Sequence, residues 1–135
     1  MKKHLLLWFI VTPFVSTAQQ TYTWNTSSGS WTTASNWSPQ RNTPAPDDIL
    51  AFNAPATVTG LPASETIGRI YIYNNAAVSF SAAAGSSISI GNTAIAAPHF
   101  AIASGSSLAV AGSNSITLNI VSGCSAQIDG SLSFA

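Results

Sequence analysis

Three short stretches of this chain are variations on one phrase, and each opens on glycine. They read Gly85-Ser86-Ser87-Ile88-Ser89-Ile90-Gly91, Gly105-Ser106-Ser107-Leu108-Ala109-Val110-Ala111-Gly112 and Gly123-Cys124-Ser125-Ala126-Gln127-Ile128-Asp129-Gly130. The opening glycines, Gly85, Gly105 and Gly123, are nearly evenly spaced. A period of about 20 residues, with apolar positions alternating in twos, predicts a solenoid in which each turn of chain stacks on the one before.

Around these phrases the chain is a series of brief alternating runs. Thr57-Val58-Thr59, Ile70-Tyr71-Ile72-Tyr73, Val78-Ser79-Phe80, Phe100-Ala101-Ile102 and Leu118-Asn119-Ile120 are short strand-like segments of this kind. Where two apolar side chains lie two positions apart, one face of the strand is apolar. Taken in chain order, Val78 and Phe80 precede Ile88 and Ile90, Phe100 and Ile102 precede Leu108 and Val110, and Leu118 and Ile120 precede Ala126 and Ile128. On this reading each turn has two regular faces, and Ile88, Leu108 and Ala126 stack in register. Ile95, Ile116, Leu132 and Phe134 then mark a third, less regular face. Bends are expected at Asn74, Asn75, Asn92 and Asn114, since asparagine bonds its own main chain and tolerates left-handed backbone. A lone turn buries too little apolar surface to offset its ordering entropy, so the turns need one another.

The N-terminus has a different character. Lys2 and Lys3 precede an apolar run from Leu5 to Val11, Pro13 breaks it, and Ser16-Thr17-Ala18 supplies small residues. That is the layout of a secretory signal peptide cleaved after Ala18. Even counted from Leu5 to Val15, the apolar stretch falls well short of the roughly 20 residues that cross a bilayer as a helix. The expected organisation is a signal peptide at 1–18, a cap segment at 19–55 and β-helix turns at 56–135, with no membrane span once the signal is removed. Within the cap segment, Thr21 to Trp24 and Ile49 to Phe52 read as short strands joined by turns. Without its leader the chain keeps Arg41 and Arg69 against Asp47, Asp48, Glu65 and Asp129, a formal charge of −2 (2 − 4). Two isolated arginines cannot displace the counterions of a phosphate backbone, which argues against a nucleic-acid partner. Cys124 is the only cysteine, so no disulfide forms within the chain. It replaces the serine of the two earlier phrases and reads as a turn residue.

The cap segment carries Trp24-Asn25, Gly29-Ser30-Trp31, Asn36-Trp37-Ser38, Pro44, Asp47-Asp48 and Phe52, followed by Thr57-Val58-Thr59. This pattern resembles the opening segment of bacterial secreted, adhesin-like proteins with autotransporter-associated β-strand repeats. The resemblance covers about Thr21 to Phe134. It implies a right-handed parallel β-helix with an aromatic-rich N-terminal cap, secreted or held at the bacterial cell surface, used for display or adhesion. It implies no catalytic residues. The chain departs from such proteins in lacking a long passenger region, an outer-membrane barrel and a C-terminal sorting domain. Leu132-Ser133-Phe134-Ala135 is still strand-like and uncapped, so the C-terminal edge is expected to pair with further turns or another chain.

Residues with catalytic chemistry are sparse. No serine lies in a Gly-x-Ser-x-Gly elbow, and after the leader the one histidine is His99, which reads as a turn residue before the Phe100 strand. From Val78 onward there is a single carboxylate, Asp129, and no Lys or Arg. Asp47-Asp48 reads as a turn that bonds backbone N–H groups rather than as a calcium site. The chain is therefore read as non-enzymatic, with no cofactor and no metal, and with surface glycans or host and matrix proteins as candidate partners. Two alternatives remain open. Trp24, Trp31 and Trp37 are carbohydrate-binding candidates if their rings form an exposed platform for sugars, and a cap if they plug the open end of the solenoid. The chain is otherwise a fragment of a β-helical polysaccharide-degrading enzyme.

Overall fold

The structure, a computed structural model, describes residues 19–135; the expected signal peptide lies outside the described residues. Those residues form strands joined by turns and a few longer loops, with one 3-10 turn at Ala34–Asn36 and no α-helix. The first wrap of chain contains β1 (Thr21–Trp24), β2 (Ser28–Ser30) and β3 (Trp37–Ser38). The second contains β4 (Ile49–Phe52), β5 (Ala56–Thr59) and β6 (Ser64–Ile67). The third contains β7 (Arg69–Ile72), β8 (Ala77–Phe80) and β9 (Ser86–Ile90), and the fourth β10 (Phe100–Ile102), β11 (Ser107–Val110) and β12 (Ile116–Ile120). The chain then continues through β13 (Ala126–Ile128) and β14 (Ser131–Phe134).

Equivalent strands of successive wraps pair side by side, giving three sheets. The first runs β13-β10-β7-β4-β1-β3, the second β14-β11-β8-β5-β2 and the third β12-β9-β6. Every pairing is parallel except that of β1 with β3, which is antiparallel. This is a β-solenoid with three strands to the turn. Its interior is a set of apolar columns: Leu50, Ile70 and Phe100 stack in one, Val58 and Phe80 in another, Ile67, Ile90 and Ile120 in a third. The strand alternation is the cause, because every second side chain faces the axis and its neighbours face water.

The solenoid was legible in the glycine phrases, but their period was not the turn. Ile70 pairs with Phe100, Val78 with Leu108 and Ile88 with Leu118. These partners set a turn of about 30 residues between the third and fourth wraps. The turn before it is shorter (Leu50 pairs with Ile70 and Val58 with Phe80), and so is the one after it (Ile102 pairs with Ile128 and Leu108 with Leu132). Turn length thus varies within the usual span of a solenoid repeat. Ile88, Leu108 and Ala126 are therefore out of register, on the third, second and first sheets respectively. The steps from Gly85 to Gly105 and on to Gly123 are each shorter than the turn they lie in and advance the chain by two faces of three, so each glycine phrase opens a strand of a different sheet. The third face is as regular as the others, built from β6, β9 and β12. Leu132 and Phe134 belong to the second sheet, opposite Leu108 and Val110, and Ile95 lies buried in the loop between β9 and β10. The ladder also begins before Ala56, since β1, β2 and β4 within the cap segment already pair in it.

Corners are made by residues suited to unusual backbone. Asn74 and Asn75 adopt φ of 61° and 57°, and Asn74 Nδ2 donates to the Asn53 carbonyl of the preceding wrap. Asn114 Nδ2 likewise donates to Ala82 O at 3.0 Å. At the corner from β6 to β7, Gly68 lets the chain pass directly against Asp47. A Cβ there would stand 2.8 Å from the Asp47 carbonyl oxygen and collide with Ile95. Gly68→Ala should therefore destabilise the protein by about 1–3 kcal/mol through overpacking. Urea unfolding reads the loss, and a wild-type midpoint would show that the corner is looser than described.

Candidate functional site

The cap is built from the three tryptophans, which the structure draws together inside the first wraps. Trp24, Trp31 and Trp37 are 5%, 1% and 1% exposed. Trp37 meets Trp24 and Trp31 edge-on at 4.9 and 5.4 Å, and Phe52 and Phe80 close the cluster from the next wraps. Such edge-to-face contacts match the positive rim of one ring to the negative face of another. Trp37 Nε1 donates to Trp31 O at 2.9 Å, and Trp31 Nε1 donates to Glu65 Oε2 at 2.6 Å. A sugar-stacking platform needs an open ring face, and these rings are covered. They are placed as a plug.

Beside the plug lies an ion cluster that the sequence did not announce. Glu65 takes an inward position of β6, opposite Ile88 of β9. A carboxylate facing the axis needs partners, and it finds the Arg41 guanidinium at 2.5 Å as well as Trp31. Arg41 Nε donates to Asp48 Oδ2 at 2.7 Å, and the same oxygen accepts the Ala45 N–H at 2.9 Å. The Asp48 turn thus forms as expected, with a buried arginine as its second partner. Arg41 also lies over the Tyr22 and Trp37 rings. With Arg41 and Asp48 both buried, this cluster ties the long loop ahead of β4 onto the first wraps.

His99 is buried, with both ring nitrogens in use. Ser125 N–H donates to Nδ1 at 3.2 Å, so Nδ1 carries the lone pair. Nε2 lies 3.1 Å from the carbonyl oxygens of Asn92 and Ile95 and so carries the hydrogen. The ring pins the loop before β10 to the start of β13. Long-range ¹⁵N–¹H spectra at neutral pH should show the Nε2–H tautomer; an Nδ1–H pattern would contradict this wiring. Cys124 lies against Gly91, whose position leaves no room for a Cβ beside the sulfur. Among the described residues no three His, Cys, Asp or Glu side chains converge.

The outer face of the first sheet carries the other concentration of polar and aromatic groups. Ile70 and Ile72 face the axis, so Arg69 and Tyr71 face outward, and Tyr73 follows just past the strand. Tyr71 and Tyr73 are stacked, 4.7 Å apart and 11° from parallel, and the Arg69 guanidinium lies 5.1 Å from the Tyr71 centroid. On the next strand Ala101 stands opposite Tyr71, and on the one after Gln127 stands opposite Ala101. Further along, Ala103 N bonds Ile72 O and Asp129 N bonds Ile102 O, which sets Ala103 and Asp129 in the next outward row. Gln127 Nε2 donates to Asp129 Oδ2 at 2.7 Å. The result is a depression of about 180 Å³ between Tyr71 and the Gln127–Asp129 pair, floored by alanine. Sequence reading missed it because the residues come from three strands, and their alignment follows only from the true turn length.

Comparison with protein-family models, with curated proteins and with solved structures finds no match to this chain.

Proposed function

We propose that this protein is an exported, adhesin-like β-solenoid of the bacterial cell surface, a non-enzymatic rod that presents its outer faces to a partner. The observation that carries the reading is the β-solenoid itself, three ladders of stacked strands whose outward side chains are set in rows on its faces. The N-terminal end is closed by the tryptophan plug, the Arg41 cluster and the short antiparallel β3. At the other end β12, β13 and β14 have no strand beyond them among the described residues. There Ile128 and Phe134 are 45% and 65% exposed, whereas their counterparts one wrap earlier, Ile102 and Val110, are buried. Export is supported by the basic, apolar and small-residue segments that follow one another from Lys2 to Ala18, and rod function by a buried His99 fully engaged in structural hydrogen bonds.

The test is localisation in the native host. Protease shaving of intact cells should remove the chain, and N-terminal sequencing of the mature protein should begin at Gln19. Retention inside the cell with Met1 intact would overturn the proposal.

A further inference from the structure

We propose that the depression on the outer face of the first sheet is a binding site for a neutral polysaccharide. The inference rests on the surface role proposed above and names the ligand class for it. Tyr71 forms one wall and Gln127 with Asp129 the other, two strand spacings apart, about 10 Å. Ala101 and Ala103 keep the floor low between them, so the apolar C–H face of a sugar ring can settle on methyl groups.

The walls offer the hydrogen-bonding groups that hydroxyls require. Gln127 spends one amide hydrogen on Asp129, which orients both planar groups and leaves its own carbonyl oxygen and the second Asp129 oxygen as acceptors. Tyr71 is flanked along its strand by Arg69 before it and Tyr73 after it, so its ring is held in place at the edge of the groove. Arg69 lines the same depression with a buried Nε that has no hydrogen-bond partner among the described residues. That atom is closed to solvent, but Arg69 as a whole is only half-buried, and its terminal guanidinium N–H groups remain as donors for a hydroxyl or ring oxygen. The contrast with the Arg41 cluster is instructive: there the guanidinium meets its carboxylates within the protein.

Charge selects the ligand further. One arginine and one carboxylate face the groove and cancel, which disfavours an anionic polymer. A peptide docking as an added strand would pair along the free outer edge of β13, in the plane of the sheet, whereas beneath the groove the backbone groups of β7 and β10 are engaged in the ladder on both sides. Hydroxyl-rich, uncharged chains remain, and the groups on the walls match them in kind.

The full chain, purified after export, should be titrated with neutral oligosaccharides (cello-, xylo-, manno- and malto-hexaose), with oligogalacturonate and a random peptide pool as comparisons. Saturable binding of a neutral hexaose is expected. Gln127→Ala, Asp129→Ala and Tyr71→Ala should each weaken it about tenfold, the scale of one lost hydrogen bond to a held ligand. Ser79→Ala, on the second sheet, should leave it unchanged. Gln127 and Asp129 are exposed, so their variants keep the fold even if Tyr71→Ala does not, and circular dichroism checks this. No binding of any neutral hexaose, preference for the acidic or peptide probes, or unaltered binding by the Gln127 and Asp129 variants would overturn the proposal. Such failure would leave the surface role standing, because protease shaving measures that separately.

Discussion

Replacing Arg41 with methionine should destabilise the protein by about 3–5 kcal/mol, the usual consequence of removing one partner from a buried ion pair. The cause is what stays behind. Asp48 and Glu65 would keep their inward positions, at 2% and 13% side-chain exposure, with no cation between them. Lysine is a poor substitute, since a point charge cannot span both carboxylates in the fork geometry that guanidinium offers. Combining Arg41→Met with Asp48→Asn and Glu65→Gln should recover part of the loss, because no bare charge remains. In a solenoid each turn contacts chiefly its neighbours, so the damage should also be local. Hydrogen exchange in Arg41→Met should accelerate first in β1 to β6 and least in β10 to β12. Chemical denaturation gives the magnitude; a loss under about 1 kcal/mol would mean that the cluster is solvated and replaceable.

Trp37→Ala should be comparably damaging, at about 3–5 kcal/mol. Its ring touches Trp24, Trp31 and Phe52, and its indole N–H serves the Trp31 carbonyl. Truncation opens a cavity at the closed end and strands that carbonyl. Trp37→Phe should cost less, because it keeps most of the ring contact and loses the hydrogen bond. The check is thermal or urea unfolding together with tryptophan emission, which should shift to the red in Trp37→Ala as Trp24 and Trp31 become wetter. Emission and stability matching the wild type would place these rings at the surface and revive them as a sugar platform.

The parts of the fold that sequence conveys well are local. Alternation in Ile70-Tyr71-Ile72 or Leu108-Ala109-Val110 declares a strand with one buried face, and the structure has both strands there. Thr21–Trp24 and Ile49–Phe52, expected as strands, are strands with those bounds. Turn length was harder to see. Glycine phrases mark corners, and with three corners to a turn the spacing between phrases reports a fraction of the turn, not the whole. The third face was obscured because β6 reads Ser64-Glu65-Thr66-Ile67, a polar run in which one interior position is a carboxylate. Only the fold shows that Arg41, far from it in the chain, neutralises it. The outer groove was hidden for the same reason. Tyr71 and Gln127 lie two strands apart on one sheet, a proximity that the spacing of the glycine phrases does not produce.

Amide and side-chain NOEs between strands test the stacked three-strand turn most directly. Cross-strand contacts are expected between Ile70 and Phe100, Val78 and Leu108, and Ile88 and Leu118, in the slanted pattern of parallel pairing. Contacts joining Ile88 to Leu108, or the close Hα–Hα pairs of antiparallel hairpins across these strands, would contradict it.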